Sequence, residues 1–398
     1  MALLTGLIAG VAAVLLLPTV SDVISFVWIA LGRRLPTGSL PAQGARLLFL
    51  VPAHDEELLI DACVRSLLYQ RDHHGQVDVV VIADNCTDHT ATLARAAGAR
   101  CLERDDRARP GKPHAIAWAL ERLSIAATDA VVIIDADTIV APDFAAHLMA
   151  SGPLRSKAMQ AFFDVSNPDE SPLTRMAAVL ATAMHRLAYP LKQRAGLNVP
   201  LVGNGMLFGS DILVRHGWHA FSICEDWEMY ALLSEQGIPI QSVPAARLYA
   251  QEARSLRQSS SQRQRWTAGK LTVLTRIGPR LLATKRIGVR QKLDACAELA
   301  APGPALHLGL VGALGAVCLL LRGPGSVLAI VALIASLLRP LTYAAVALTM
   351  QPQPRRALTA FAFLPVYTVW RIGTAVLALR MLGNKPWIRT QRHQHTPV

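Results

Sequence analysis

Charged residues are scarce in this 398-residue chain. Asp, Glu, Lys and Arg make up 17% of it, against 52% hydrophobic residues and a mean hydropathy of +0.32. Soluble domains carry about 25% charged residues. The deficit argues against a disordered chain and against a purely soluble protein, and it indicates membrane association with enough polar sequence left for one sizeable soluble domain.

Several motifs that would assign a function are missing. The six cysteines form no C-x-x-C pair and have no partnered histidine, so neither a zinc site nor a disulfide framework is indicated. No G-x-G-x-x-G turn is present, which argues against a Rossmann oxidoreductase, and without a G-K-[ST] loop any phosphate must be bound by another device. Nucleic acid is not an expected partner, because the basic segments have few interleaved aromatic residues.

Acidic residues are absent from the whole region after Glu298. The net charge is +12, and the segment from Gln251 to Lys292 holds eleven Lys or Arg residues against the single acid Glu252. Basic segments beside apolar stretches are typical of the cytoplasmic face of a membrane, where anionic lipids attract them. We therefore expect the soluble domain to face the cytoplasm.

A long apolar stretch begins the chain. Residues 2–31 carry one charge, Asp22, and are followed by Arg33 and Arg34. A secretory signal would carry its positive charge before the apolar run. The order found here predicts an uncleaved transmembrane anchor over residues 1–34, with its end in the cytoplasm.

A second apolar region closes the chain. Residues 303–321 and 326–350 predict two spans, the second interrupted at Arg339-Pro340. In the stretch 358–382, Arg371 makes full insertion costly. An interfacial or re-entrant helix is therefore favoured over a third crossing, with the basic tail inside. That tail comprises Lys385, Arg389 and Arg392.

Short apolar runs alternate with helical patterns between these regions. Strands are predicted at Arg46–Pro52, Val77–Ala83, Arg100–Glu103 and Ala130–Asp135, and helices at residues 56–70, 89–98 and 113–123. The alternation predicts βαβ units and a mostly parallel sheet, so the expected fold class is α/β. Ligands of such sheets bind at the carboxyl ends of the strands.

Carboxylates follow three of the predicted strands at that edge. They are Asp55, Glu56 and Glu57 after the first, Asp84 and Asp88 after the second, and Asp135 and Asp137 after the last. The D-x-D pair can hold a hard divalent cation that neutralises a diphosphate. A single aspartate in such a place is more often a helix cap or turn former, so the recurrence is what favours a binding site.

Further candidate residues lie in three later segments. Lys112 is either a phosphate contact or a solvated lysine. Glu225 and Asp226 begin a predicted helix. Either they are there because the helix dipole favours acidic side chains in the first turn, or one of them is a base that deprotonates a sugar hydroxyl. The Q-x-x-R-W run from Gln262 to Trp266 offers arginines for a diphosphate and an indole for a sugar ring. Its alternative is an interfacial anchor with a belt tryptophan.

In their order, these motifs resemble those of the family 2 glycosyltransferases, in particular the membrane-embedded branch that includes cellulose, chitin and hyaluronan synthases. The resemblance covers residues 46 to about 275. The matching elements are V-P-A-H-D-E-E from Val51, Asp84 with Asp88, the D-x-D, the Gly203-Asn204-Gly205 loop, Glu225-Asp226, and Gln262 to Trp266.

The resemblance implies a domain organisation. A nucleotide-diphospho-sugar transferase domain of the GT-A type would occupy residues 42–275 in the cytoplasm. It would follow the anchor and precede basic interfacial helices at residues 276–300, and a C-terminal transmembrane region and basic tail at residues 301–398.

The resemblance also implies roles for residues. The donor would be bound by Pro52, His54, Glu56, Asp84, Lys112 and Asp135. Asp137 would hold the metal, Mg²⁺ or Mn²⁺. Asp226 would be the catalytic base. The acceptor and the diphosphate would be contacted by Glu225, Gln262, Arg265 and Trp266.

The activity implied is inverting transfer of a hexose from a UDP-sugar to a growing polysaccharide, at the bacterial inner membrane. Export or polymerisation partners are expected with it. The alternative is transfer of a single sugar to a lipid or lipid-linked acceptor. A third possibility is a catalytically silent scaffold. Product length separates the first two, and the retained acids Asp137 and Asp226 argue against the third.

Overall fold

The computed structural model describes residues 2–33, 44–74, 76–321 and 323–381. Arg34 and the predicted basic tail lie outside these ranges. The strands are β1 (Leu47–Ala53), β2 (Val77–Asp84), β3 (Arg100–Arg104), β4 (Ala130–Ile133), β5 (Thr138–Val140), β6 (Ala158–Val165), β7 (Met206–Gly209) and β8 (Ile240–Ala250). They form one eight-stranded sheet.

Helices alternate with the strands and continue beyond them. Those of the domain built on the sheet are α2 (Ile60–His74), α3 (Thr90–Ala96), α4 (Lys112–Leu120), α5 (Phe144–Met149), α6 (Pro172–Thr182), α7 (Tyr189–Arg194), α8 (Ser210–His216) and α9 (Glu225–Glu235). The remaining helices are α1 (Ala2–Ala30), α10 (Leu256–Ala283), α11 (Val289–Ala300), α12 (Pro304–Leu321), α13 (Pro324–Ser336), α14 (Leu338–Thr349), α15 (Pro354–Ala360) and α16 (Leu364–Ala378).

The sheet has the order β3-β2-β1-β4-β7-β6-β8-β5. Its first four strands run parallel, whereas β7 is antiparallel to both of its neighbours and β5 is antiparallel to β8. β6 and β8 are again parallel. The predicted α/β fold with a mostly parallel sheet is confirmed.

Both faces of the central strands are buried. Along β1, Leu48 and Leu50 face one hydrophobic cluster, while Leu47, Phe49 and Val51 face the other. A strand covered on both sides reads as a continuous apolar run, which is why the sequence located it. Because β1, β2 and β4 are parallel, their carboxyl ends lie at one edge of the sheet.

α10 is the longest helix of this region. It begins at Ser255, whose side chain accepts a hydrogen bond from the Gln258 amide at 3.3 Å, an N-cap. It then continues without interruption to Ala283. The predicted boundary between residues 275 and 276 therefore falls inside a helix. The Q-x-x-R-W motif and the first residues of the predicted interfacial segment belong to one continuous helix.

In the part of the chain that the structure describes, four helical segments are long and apolar enough to cross a membrane. They are Leu3–Ala30, Pro304–Leu321, Gly325–Thr349 and Pro354–Met381. The first three agree in position with the predicted spans. The third has a helix junction at Leu337, just before Arg339-Pro340.

The last of these segments stays close to the sheet domain at both ends. α15 packs on α6, and the short 3₁₀ turn Leu379–Met381 after α16 contacts α10. These contacts are compatible with an interfacial helix, although the segment's length also suits a crossing. The interfacial location remains a prediction.

A chain of buried ionic contacts joins the apolar helices to the sheet domain. Arg339 in α14 pairs with Asp22 in α1 at 2.8 Å and with Glu298 in α11 at 2.7 Å. Lys192 in α7 pairs with Glu298 at 3.1 Å and with Asp294 of the same helix. The charges alternate in sign, so each buried cation lies between carboxylates, as burial of charge requires.

Candidate active site

The loop after β1 is pinned to the loop after β2. Asp55 has φ +53°, and its carboxylate accepts hydrogen bonds from the amide and hydroxyl of Thr87. The Glu56 amide donates to Thr90 Oγ1 at 2.8 Å, and the ring of His54 contacts the Asp84 carbonyl at 2.7 Å. Three of the residues predicted to bind the sugar donor therefore lie half-buried around the end of β2, namely Pro52, His54 and Glu56.

Asp84 is 3% exposed at the end of β2. It forms a buried ion pair with Arg104 in β3, and it also accepts from the Gly111 amide at 3.1 Å and the Asn85 side chain at 2.9 Å. These bonds fix the start of α4 against the strand end. A contact between Asp84 and the sugar donor remains a prediction. The hydrogen bonds and the ion pair of Asp84 give it a positioning role.

The Lys112 side chain contacts three separate segments of the site. Its ammonium donates to Asp135 Oδ1 at 2.5 Å and to the Gly203 carbonyl at 2.5 Å, and it lies 3.4 Å from Glu225 Oε1. Burial alone would lower the pKa of Lys112, but the carboxylates of Asp135 and Glu225 outweigh it and raise the pKa. One cation thus gathers the D-x-D loop, the Gly203 loop and the start of α9.

Asp226 lies in the first turn of α9 and is 9% exposed. A Cβ at position 203 would lie 3.3 Å from its Oδ2, and Gly203 has φ +84°, so glycine suits this close approach on both counts. Burial, followed by the charge of Glu225, raises the pKa of Asp226 to about 7, while the Trp227 amide and Lys112 act in the opposite direction. A carboxylate with a pKa near neutrality can take up and release a proton there.

The Q-x-x-R-W motif occupies the first half of α10, which packs directly on the segment before Asp226. A Cβ at Gly269 would lie 2.5 Å from Cys224 Cβ, a contact that leaves no room for a side chain. The Cys224 thiol also lies 4.0 Å from the Trp266 carbonyl. Because Cys224 precedes Glu225-Asp226, this contact sets the distance between Asp226 and the motif.

Trp266 and Lys270 lie one turn apart on α10. The Trp266 ring is 38% exposed and has the Arg263 guanidinium 4.7 Å from its centroid. Lys270 lies 3.9 Å over the ring of Trp227 and donates to the Ala301 carbonyl at 2.8 Å. α10 is therefore tied both to the Asp226 helix and to the start of the C-terminal apolar region.

The donor set around Asp137 suits a hard divalent cation. Asp137 is half-buried in the loop between β4 and β5, immediately before β5, and its Oδ1 lies 3.4 Å from the Thr138 hydroxyl. Mg²⁺ is commonly held by one or two carboxylates together with substrate phosphates and water. The carboxylate of Asp137, with a diphosphate supplying further oxygens, would fit that pattern.

Three potential ligands also meet elsewhere in the described part of the chain, at Asp55, Cys86 and Asp88. The thiol of Cys86 is a soft ligand, whereas Mg²⁺ and Mn²⁺ are bound by carboxylate, carbonyl and water oxygens. Asp88 accepts from the amides of Thr90 and Glu57, which are turn contacts. This group stabilises the two loops, and Asp137 remains the candidate metal ligand.

The sequence assigned no role to some residues of the site. Asn204, in the Gly203-Asn204-Gly205 loop that carries the resemblance, accepts a hydrogen bond from the Asp135 amide at 3.2 Å and donates one to Thr138 at 2.7 Å, so it orders the D-x-D loop. Arg104 pairs with Asp84, and Lys270 contacts Trp227 and Ala301. These partners are distant in the sequence, so no local pattern indicates them. Only Lys270 could have been suspected, because it lies one helical turn after Trp266.

Replacing Gly269 with alanine is expected to reduce the transfer rate by up to about 100-fold, because a shift of about 1 Å in a reacting group can cost that much. The new methyl group would force α10 away from Cys224. Gly278→Ala is the matched control on the same helix, since its Cβ would meet only the end of Leu274 at 3.3 Å. Steady-state kinetics and melting temperatures would be compared.

The double variant G269A/C224G should regain part of the lost rate, because it removes the two Cys224 atoms that the methyl group would meet at 2.5 and 2.8 Å and leaves only an ordinary contact with Ile223 at 3.5 Å. An unimpaired Gly269→Ala enzyme would show that this contact does not set the geometry of the site.

The fold and the clustered acids define a glycosyltransferase of the GT-A type. Residues 45–269 match the family described as glycosyltransferase like family 2, and the chain belongs to that family. The match does not identify a particular branch of the family. The resemblance to cellulose, chitin and hyaluronan synthases is therefore a prediction.

Individual relatives are distant. The chain is 21% identical over 247 residues to the probable glycosyltransferase YdaM of Bacillus subtilis (strain 168), a match that spans 60% of this chain and 58% of that protein. The mannosyltransferase PcManGT from Pyrobaculum calidifontis, in complex with GDP-Man and Mn²⁺, superposes with a TM-score of 0.56 at 20% identity, over 94% of this chain and 99% of that one. Glucosyl-3-phosphoglycerate synthase from Mycobacterium tuberculosis gives a TM-score of 0.41 at 24% identity, over 59% and 79% of the two chains.

Proposed function

We propose that this chain is an inverting, metal-dependent hexosyltransferase of the bacterial inner membrane. It would transfer a sugar from a UDP-sugar to a growing polysaccharide. The observation that carries the proposal is the cluster in which Lys112 joins Asp135, Gly203 and Glu225 beside the buried Asp226. The cluster brings the D-x-D loop and the buried carboxyl of Asp226 close together, which supports a metal-binding loop beside a base.

The proposal assigns each residue of the cluster a part in the reaction. Asp226 would accept the proton of the acceptor hydroxyl as that oxygen attacks the anomeric carbon on the face opposite the nucleotide, which inverts the configuration. A sugar hydroxyl is a poor nucleophile near neutral pH, so a positioned base is needed. Lys112 and Arg265 would stabilise negative charge on the departing diphosphate, to which a divalent cation at Asp137 would contribute.

Two findings support a donor and a metal of this class. PcManGT, which shares the fold over most of both chains, was captured with a nucleotide-diphospho-sugar and Mn²⁺. The carboxylate at Asp137 suits the same chemistry. The multi-pass arrangement is supported by the four apolar segments and by the basic residues of α10 and α11.

The alternative acceptor, a lipid or lipid-linked sugar, is favoured by one observation. Trp266, at the acceptor end of the motif, precedes Thr267, which contacts Arg371 in the apolar helix α16 at 3.4 Å. The acceptor end of the site is thus adjacent to the predicted membrane region. A ladder of products would support the polysaccharide, and one discrete lipid-linked product would support the alternative.

The direct test is release of nucleoside diphosphate by the purified full-length protein with Mn²⁺ and a panel of UDP-sugars, with GDP-mannose included. Release with one donor and its loss in Asp226→Asn would establish the activity. Donor binding without turnover under any acceptor condition would favour the silent scaffold.

The transfer rate is expected to rise with pH through about 7, because Asp226 accepts a proton only when ionised and its pKa is raised to about 7. Below that pH the carboxyl is protonated and the rate should fall about tenfold per pH unit. Lys112→Met should move this acid limb to higher pH, since Lys112 favours the ionised form. The exposed Lys285→Met is the control. A flat profile across this range would argue against Asp226 as the base.

A further inference from the structure

Arg339 in α14 and Arg371 in α16 both lie within the apolar C-terminal helices, and their surroundings differ. Arg339 is balanced by the carboxylates of Asp22 and Glu298. Arg371 in α16 is 6% exposed and forms no ion pair with any described residue. Its partners are two neutral hydroxyls, Thr374 at 3.1 Å and Thr267 at 3.4 Å.

The missing counter-charge cannot come from acidic side chains elsewhere in the chain. No Asp or Glu follows Glu298, and the residues outside the described ranges contain none. A guanidinium carries five N–H donors, of which two are used here. Burial of an unpaired cation is costly, so a buried arginine without a carboxylate indicates an anion supplied from outside the chain.

The position of Arg371 indicates what that anion is attached to. α16 packs against α10 and α12, and its Val366, Val369 and Val376 are exposed as a lipid-facing surface would be. On the other side, Thr267 directly follows the half-exposed Trp266. The guanidinium therefore lies where the motif helix meets the apolar surface.

We propose that Arg371 binds the phosphoryl group of a membrane lipid at the junction of α10 and α16, beside the acceptor end of the active site. Phosphate is the anionic group that membrane lipids present at the surface of the apolar layer, and the planar guanidinium fork matches its oxygens. The inference rests on the proposed function only for the role of Trp266. The phosphoryl group could belong to a bilayer headgroup or to a lipid substrate.

The test uses the full-length protein in dodecyl maltoside, which contains no phosphate. Binding of dodecyl phosphate is measured by thermophoresis. Two compounds serve for comparison: dodecanol, which lacks the phosphate, and inorganic phosphate, which lacks the alkyl chain. We expect dodecyl phosphate to bind at least tenfold more tightly than either counterpart. Arg371→Gln should lose at least tenfold in affinity, and Arg371→Lys, which keeps the charge without the fork, should lose several-fold. The exposed Arg356→Gln is the matched control.

Equal binding of dodecyl phosphate and dodecanol would overturn the proposal, as would wild-type affinity in either Arg371 variant. If Arg371→Gln does not fold, the lysine variant decides. Competition with phosphatidylglycerol separates the sources: displacement indicates a site for bilayer headgroups, and no displacement indicates selection of a terminal phosphate.

The outcome is separable from that of the proposed activity. Asp226→Asn should lose transfer while keeping its affinity for dodecyl phosphate. If that variant stays active but Arg371→Gln still loses dodecyl phosphate, the base assignment is wrong and the lipid-phosphate site stands.

Discussion

Asp226→Asn is expected to lower the transfer rate by about 10²- to 10⁴-fold, the usual contribution of a general base. Asparagine has nearly the same shape, so it keeps the packing against Gly203 and the contact with the Trp227 amide. It cannot accept the proton of the acceptor hydroxyl. Donor affinity, measured by calorimetry, should stay within a few-fold of wild type.

Glu228→Gln is a suitable control for this variant. Glu228 lies in the same helix and is also buried, and it accepts from the Ser222 amide at 2.7 Å, a bond that glutamine can keep. Its rate should fall far less than that of Asp226→Asn. Lost donor binding in Asp226→Asn would instead identify Asp226 as a donor ligand.

Removal of divalent metal by EDTA is expected to reduce turnover by at least about 100-fold, because a bound cation stabilises transition-state charge by several kcal/mol. Added Mn²⁺ or Mg²⁺ should restore the rate. Asp137→Asn should raise the metal concentration needed for half-maximal activity. The exposed Asp143→Asn, six residues along the chain, should leave it unchanged.

The two possible metal positions are separated by a further variant. Asp88→Asn alters the group formed with Asp55 and Cys86 and should not change the metal requirement. A shift in Asp88→Asn without one in Asp137→Asn would place the ion at the loop after β2. Full activity in EDTA would exclude a metal requirement.

The first half of the sheet was predictable because its strands are local patterns. β1, β2, β3 and β4 appear within two residues of their predicted bounds. β1, β2 and β4 are apolar runs ended by a polar loop, whereas β3 is short and largely polar. Their parallel arrangement then brought the strand-end acids to one edge. The antiparallel pairings of β7 and of β5 were not predicted, because register between distant strands leaves no periodic signal.

The candidate site was predictable in its residue types and less so in its connections. Asp135, Glu225 and Lys112 were all singled out, but the sequence did not show that Lys112 joins the other two. The sequence likewise did not show that Asp84 forms an ion pair with Arg104. Pairs of opposite charge that are distant in sequence are too numerous for composition or spacing to select the correct one.

The ionic chain through Arg339 has a consequence for biosynthesis. Asp22 and Arg339 are separated by 317 residues, so at 5 to 20 residues per second a ribosome needs about 15 to 60 s between them. If α1 inserts as soon as it is made, Asp22 stays in the apolar layer without its arginine for that time. Closure of the bundle would then be the last step of assembly, and a nascent chain truncated before α14 would present an unpaired intramembrane carboxyl to the machinery that removes incomplete proteins.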